Sequence, residues 1–150
     1  MQSAPGGKGR LEDVLLMRPN LSASYRRFVQ ASCEEGLLPP PLLALCAARV
    51  AALHGCDLGA FTVPVMPISP RQGAALERWA EADCFSPLER AALLIADKMP
   101  WRHADIDDAD VQALRAHLSD RQVVALTVAI AMFDCECRLQ RVVAPVATQK

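Results

Sequence analysis

Aromatic side chains are scarce in this sequence, with two Trp, one Tyr and four Phe in 150 residues. A core with so few rings has to come from Leu, Val, Ile and Ala, which suits close helix–helix packing better than a β-sandwich. Net charge is also lacking. Sixteen basic side chains against 17 acidic ones leave −1 at pH 7, so no overall field draws in phosphate backbones or anionic lipid, and neither nucleic acid nor a membrane is expected as a partner. The longest apolar stretch, Val123 to Phe133, falls short of the roughly 20 residues of a membrane span. The opening MQSAPGGKGR has no signal-peptide core, which points to a cytoplasmic protein. The six cysteines, Cys33, Cys46, Cys56, Cys84, Cys135 and Cys137, are too sparse for a secreted disulfide scaffold, and no pair has C-x-x-C spacing. Reduced thiols are expected, without zinc or any other metal or cofactor. Calcium is not indicated either, because DIDDADVQALR lacks the Gly and closing Glu of an EF-hand loop.

What the sequence does have is apolar surface: 52% of it is hydrophobic and 22% charged. A chain of this length can hide roughly 70% of its unfolded surface in one core, so a single globular domain is expected over residues 11–150, after a flexible Gly- and Pro-rich lead at residues 1–10. Leu21 to Glu35 reads as a helix capped by Asn20 or Ser22 and closed by Gly36. Pro39-Pro40-Pro41 breaks the chain, and Leu42 to Leu53, nearly all Leu, Ala and Val, reads as a buried helix ending at Gly55. Ser69-Pro-Arg-Gln, Ser86-Pro-Leu-Glu and Ser119-Asp-Arg-Gln are written as capping boxes, the first two with Pro at the first helical position. Asp105 or Asp107 caps a helix through Val111, Leu114 and Leu118, while Trp101-Arg102-His103 and the Pro64 to Pro70 stretch read as loops. The helix after Ser119 has almost no polar side and must be covered all round, in a deep core or at a subunit interface. No sheet is predicted.

Three segments then carry a family resemblance. Ala47 to Cys56, AARVAALHGC, is similar to the Ala/Val-rich helix that runs into Asn-Gly-Cys in the alkylhydroperoxidase D/carboxymuconolactone decarboxylase superfamily. Phe85 to Leu93, FSPLERAAL, resembles that family's Ser-capped second signature, and Leu118 to Thr127, LSDRQVVALT, with Arg138 beyond it, resembles the third. The resemblance implies an all-α bundle around an antiparallel helical hairpin, assembled into homo-oligomers, often trimers or hexamers. It also implies a thiol-dependent, peroxidase-like antioxidant chemistry acting on a small-molecule peroxide with a thiol reductant. In the redox-active branch that chemistry resides in C-x-x-C-x-x-x-H with a Glu about three turns upstream. Here Cys56 matches a motif thiol, while Gly59 stands at the other Cys position, Val63 at the His position and Ala44 near the Glu position.

The candidate catalytic residues are therefore Cys56 and His54. Cys56 reads either as a reactive thiol at the N-terminus of a following short helix, where the dipole would lower its pKa, or as a small buried apolar residue in an inherited position. His54, two residues earlier, is either the replacement base or a helix-terminal His. Cys135 and Cys137 point to opposite helix faces, so at most one could serve as a replacement resolving thiol, the alternative being two core thiols. Arg138 and Arg141 read as an anion clamp or as partners of Glu136 on an exposed face. Two functions stay open: a single-cysteine or rearranged thiol redox enzyme, and a non-catalytic oligomeric scaffold or binding module.

Overall fold

The computed structural model describes residues 8–34, 36–63 and 65–147. They form seven α-helices: α1 (Lys8–Leu15), α2 (Pro19–Ser32), α3 (Pro40–His54), α4 (Pro70–Ala75), α5 (Pro87–Arg102), α6 (Asp108–Arg115) and α7 (Asp120–Ala147). Short 3-10 turns lie at Leu58–Ala60, Leu76–Arg78 and His103–Asp105. Among the described residues there is no strand, and no helix is long and apolar enough to cross a membrane.

The capped starts fall where the sequence puts them. Ser86 and Glu89 form a reciprocal box at 3.1 and 2.8 Å, as do Ser119 and Gln122 at 3.3 and 2.9 Å. At Ser69 half of the box forms. Its hydroxyl accepts from the Gln72 amide at 3.2 Å, while the Gln72 side chain turns to the Cys84 carbonyl and Glu89. Asp107 is the cap of α6, again a full box with Asp110.

Several boundaries differ from expectation. α2 starts at Pro19, whose fixed φ suits the first helical position, so the expected caps Asn20 and Ser22 lie inside the helix and Ser22 is buried. It ends at Ser32, short of Gly36. α3 takes Pro40 and Pro41 into its first turn, where their missing N–H groups have no intrahelical partner to lose. Residues 1–7 of the expected lead lie outside the described residues, but Lys8 to Arg10 open α1, which no sequence signal announced. Leu11, 1% exposed, anchors that helix in the core. Trp101 and Arg102 belong to the last turn of α5, which continues past the interior Pro100.

α3 is the hub and packs on both α5 and α7. Its buried Ala47 and Ala51 meet a layer that includes Ala91, Ala92 and Ala96 of α5 and Ala129 of α7, small side chains that let helix axes approach closely. Leu126, Ile130, Met132 and Phe133 of α7 fill the space between, with Phe133 against Phe61 at 5.1 Å. Gln122 reaches the Leu37 carbonyl near the start of α3, while Asp134 reaches His54 at its end, so α3 and α7 run in the same sense. α2 runs the other way along α7, with Tyr25 on Glu136 and Glu34 on Arg121. α2 and α3 are thus an antiparallel hairpin against α7.

Candidate functional site

The Cys56 turn is fixed by the way α3 ends. Gly55 adopts φ +65°, a left-handed conformation that costs glycine nothing. The Gly55 amide donates to Ala52 O at 3.3 Å and the Cys56 amide to Ala51 O at 2.8 Å, the paired bonds of a Schellman closure. Arg141 then donates to the His54 carbonyl at 2.8 Å, a cation at the negative end of the helix. Cys56 therefore sits at the C-terminal end of α3. The helix N-terminus expected to activate it is a three-residue 3-10 turn whose cap is Asp57, its carboxylate accepting from the Gly59 amide at 2.9 Å.

The half-buried Cys56 sulfur faces α7, 3.8 Å from the carbonyl oxygen of Cys137. Burial, the hydrogen bond with the Cys56 thiol and the Cys56 charge all push the fully buried Cys137 thiol upward. Of the two cysteines two residues apart, Cys137 is turned inward and Cys135 lies exposed, as the helical spacing requires. Cys46, walled into the core, is pushed up to about 12 by burial alone.

The structure does not join His54 to Cys56. Nε2 of His54 lies 2.6 Å from Oδ1 of Asp134, and no hydrogen bond links the ring to Cys56 among the described residues. Arg138 holds the same carboxylate through bonds at 3.1 Å to both oxygens, stacks 4.8 Å above the Trp101 ring and donates to the Pro100 carbonyl at 2.6 Å. The His54 ring meets Trp101 at 5.1 Å. The expected base thus has Asp134 of α7 and Trp101 of α5 as its neighbours, and neither Arg138 nor Arg141 forms an exposed pair with Glu136.

Glu136 is 0% exposed, against the expectation of a surface position. Its Oε1 accepts from the Tyr25 hydroxyl at 2.8 Å and from the Thr62 hydroxyl, and its Oε2 accepts from the Thr62 amide at 2.8 Å. Burial first, and then the Glu136 charge, raise both the Tyr25 phenol and the Cys33 thiol above their ordinary values. Tyr25, Thr62 and Cys33 also line a cavity of about 510 Å³ whose apolar walls include Leu15, Val29 and Val63. Sequence reasoning missed this cluster. The available signal was a pair of acidic residues, Asp134 and Glu136, directly after the apolar run of α7.

A second cavity of about 210 Å³ adjoins α3 and is lined by Ala44, Val63, Phe133 and, again, Cys33. Ala44 and Val63 are the positions near which the resemblance would put a Glu and a His. Both positions are apolar in this chain. Among the described residues no group of three or more His, Cys, Asp or Glu is placed to hold a metal ion.

No protein-family model matches the chain, and no curated protein does. Among solved structures it is similar to a protein of unknown function from Agrobacterium tumefaciens, for which an AhpD antioxidant-defence role has been suggested. The TM-score is 0.72 at 21% identity, over 87% of this chain and 92% of that one. The chain has the alkylhydroperoxidase D-like fold that its three signature segments imply.

Proposed function

We propose that this chain is a thiol-dependent, peroxidase-like redox protein in which Cys56 is the nucleophile and Cys137 the resolving thiol. The observation that carries this reading is the meeting of Cys56, at the end of α3, with Cys137 in α7. It supplies across the fold the second thiol that Gly59 does not supply in sequence. Cys56 is the more accessible partner, and burial holds Cys137 as the neutral thiol, so the attacking role falls to Cys56.

In the first step the Cys56 thiolate attacks the outer oxygen of a hydroperoxide. The O–O bond breaks, the alcohol leaves after taking a proton, and Cys56 becomes a sulfenic acid. Cys137 then attacks that sulfur, forming the S–S bond and releasing water from the sulfenic hydroxyl and the thiol proton. Two electrons from an external thiol reductant restore both cysteines. The raised Cys137 thiol makes the second step slow. His54 takes part only by fixing, through Asp134, the helix end on which Cys56 sits.

We also propose that the chain works as a homo-oligomer, a trimer or hexamer. Val124, Val128, Ala131 and Cys135 follow one another at helical spacing along α7 and are all exposed, Val124 by 63%. A second copy of the chain is the natural cover for that apolar stripe.

The test is one equivalent of an organic hydroperoxide, followed by non-reducing digestion and mass spectrometry. A linked Cys56–Cys137 peptide is the expected product. Consumption of peroxide with Cys56 still reduced, or a disulfide between other cysteines, would overturn the roles given to Cys56 and Cys137, and unconsumed peroxide would leave the oligomeric scaffold without chemistry.

A further inference from the structure

The larger cavity has polar lining residues in Ser22 and Gln30 as well as Tyr25 and Thr62, and of these Tyr25 and Thr62 hydrogen-bond a buried carboxylate. Leu15, Val29 and Val63 give it apolar walls, and the two charged residues on its lining, Glu12 and Arg26, are solvent-exposed and opposite in sign. Its polar end is formed by Tyr25 and Thr62 in front of the fully buried Glu136. Both hydroxyls spend their protons on the Glu136 carboxylate, so what they have left to offer a ligand is lone pairs. Donation to a carboxylate strengthens those oxygens as acceptors, because hydrogen bonds in a chain polarise one another. No Lys or Arg among the described residues pairs with Glu136. Burial first, and the Glu136 charge second, raise the Cys33 thiol on the lining. A buried carboxylate with only neutral donors around it favours a cation nearby.

We propose that this cavity binds a small organic amine, an apolar body carrying a protonated amino head that donates to the Tyr25 and Thr62 oxygens. The apolar walls take the body and exclude water from it, and the Glu136 charge, relayed through two hydroxyls, selects a cationic head over a neutral or anionic one. The inference is independent of the thiol chemistry, since Cys56 lines neither cavity.

Three probes sharing one body test it on the full chain: phenethylamine, phenethyl alcohol and phenylacetate. Two readings are taken, the shift in Tm and the rate at which Cys33, on the cavity wall, and Cys84, which lines neither cavity, react with a small alkylating agent. The amine is expected to raise Tm and to protect Cys33 but not Cys84, the alcohol to act more weakly, and phenylacetate to have no effect. Glu136→Gln should weaken amine binding about tenfold, the equivalent of ~1.4 kcal/mol, and bring it level with the alcohol. Tyr25→Phe, which removes one acceptor and keeps the ring, gives the same reading should the Gln variant fold poorly. Equal effects of the three probes, equal protection of Cys33 and Cys84, or an amine preference unchanged in the folded variants would each overturn the proposal. None of these outcomes bears on the Cys56–Cys137 peptide, so the two readings fail separately.

Discussion

Nε2 of His54 and Oδ1 of Asp134 lie 2.6 Å apart across the contact between α3 and α7, with the His54 side chain only 6% exposed. The pair ties down the helix end that carries Cys56. His54→Ala is therefore expected to cost about 1–3 kcal/mol, from one lost hydrogen bond to a carboxylate and the space left by a largely buried ring packed on Trp101. The alkylation rate of Cys56 in the folded variant should change little. Urea unfolding and alkylation kinetics check the two halves. A large fall in Cys56 reactivity with stability intact would restore His54 as the base.

Cys137→Ser should leave the Cys56 sulfenic acid with no thiol to meet, so it persists after hydroperoxide treatment and is captured by dimedone. Cys135→Ser, Cys33→Ser and Cys84→Ser should form the Cys56–Cys137 disulfide as the wild type does. Dimedone labelling at Cys135 in place of Cys56 would show that the accessible thiol on the α7 surface is the reactive one.

Assembly should fail when the α7 stripe is charged. Val124→Glu combined with Val128→Glu places two carboxylates where an apolar cover is proposed, and sedimentation should find a species near 16.3 kDa. A wild-type chain that already sediments at that mass would remove the case for an oligomer.

Asp110 sets an acid limit on stability. The Lys98 hydrogen bond at 2.6 Å, followed by the Asp107 amide at 3.1 Å, holds its carboxyl below the usual value. A folded-state pKa below the unfolded one, ~3.9, gives stabilisation that is fully present above the unfolded value and fades as pH falls through the folded one. Unfolding free energy should decline below about pH 4, and Lys98→Met should flatten that decline while lowering stability at neutral pH. Parallel acid profiles for the two proteins would exclude the pair as the source.

The parts of this fold that could be read in the sequence are those decided within a few residues. The Ser86–Glu89 and Ser119–Gln122 boxes and the Gly55 closure are each written into four or five consecutive positions. That Cys135 and Cys137 face opposite ways follows from helical spacing, while which of them turns inward does not. The site was harder to read because its partners are remote. Tyr25 lies 111 positions from Glu136, Thr62 lies 74 away, and Cys56 lies 81 from Cys137. An acidic residue flanked by Cys and Arg reads as a solvated face until the hydroxyls that satisfy it are brought up from α2 and the segment after α3. α1 was missed for a similar reason, since the burial of Leu11 comes from tertiary packing and not from local propensity.

Glu136 and Cys137 are consecutive in α7 and are both wholly buried, yet they serve different neighbours. Within a rigid helix neither can be re-aimed alone. A rotation of this turn that improved the carboxylate's fit to Tyr25 would swing the sulfur away from Cys56, and the reverse holds as well. Substitutions around the two sites should therefore show non-additive free energies even where their side chains never touch. Any drift of this sequence that keeps one site has to keep the other in step.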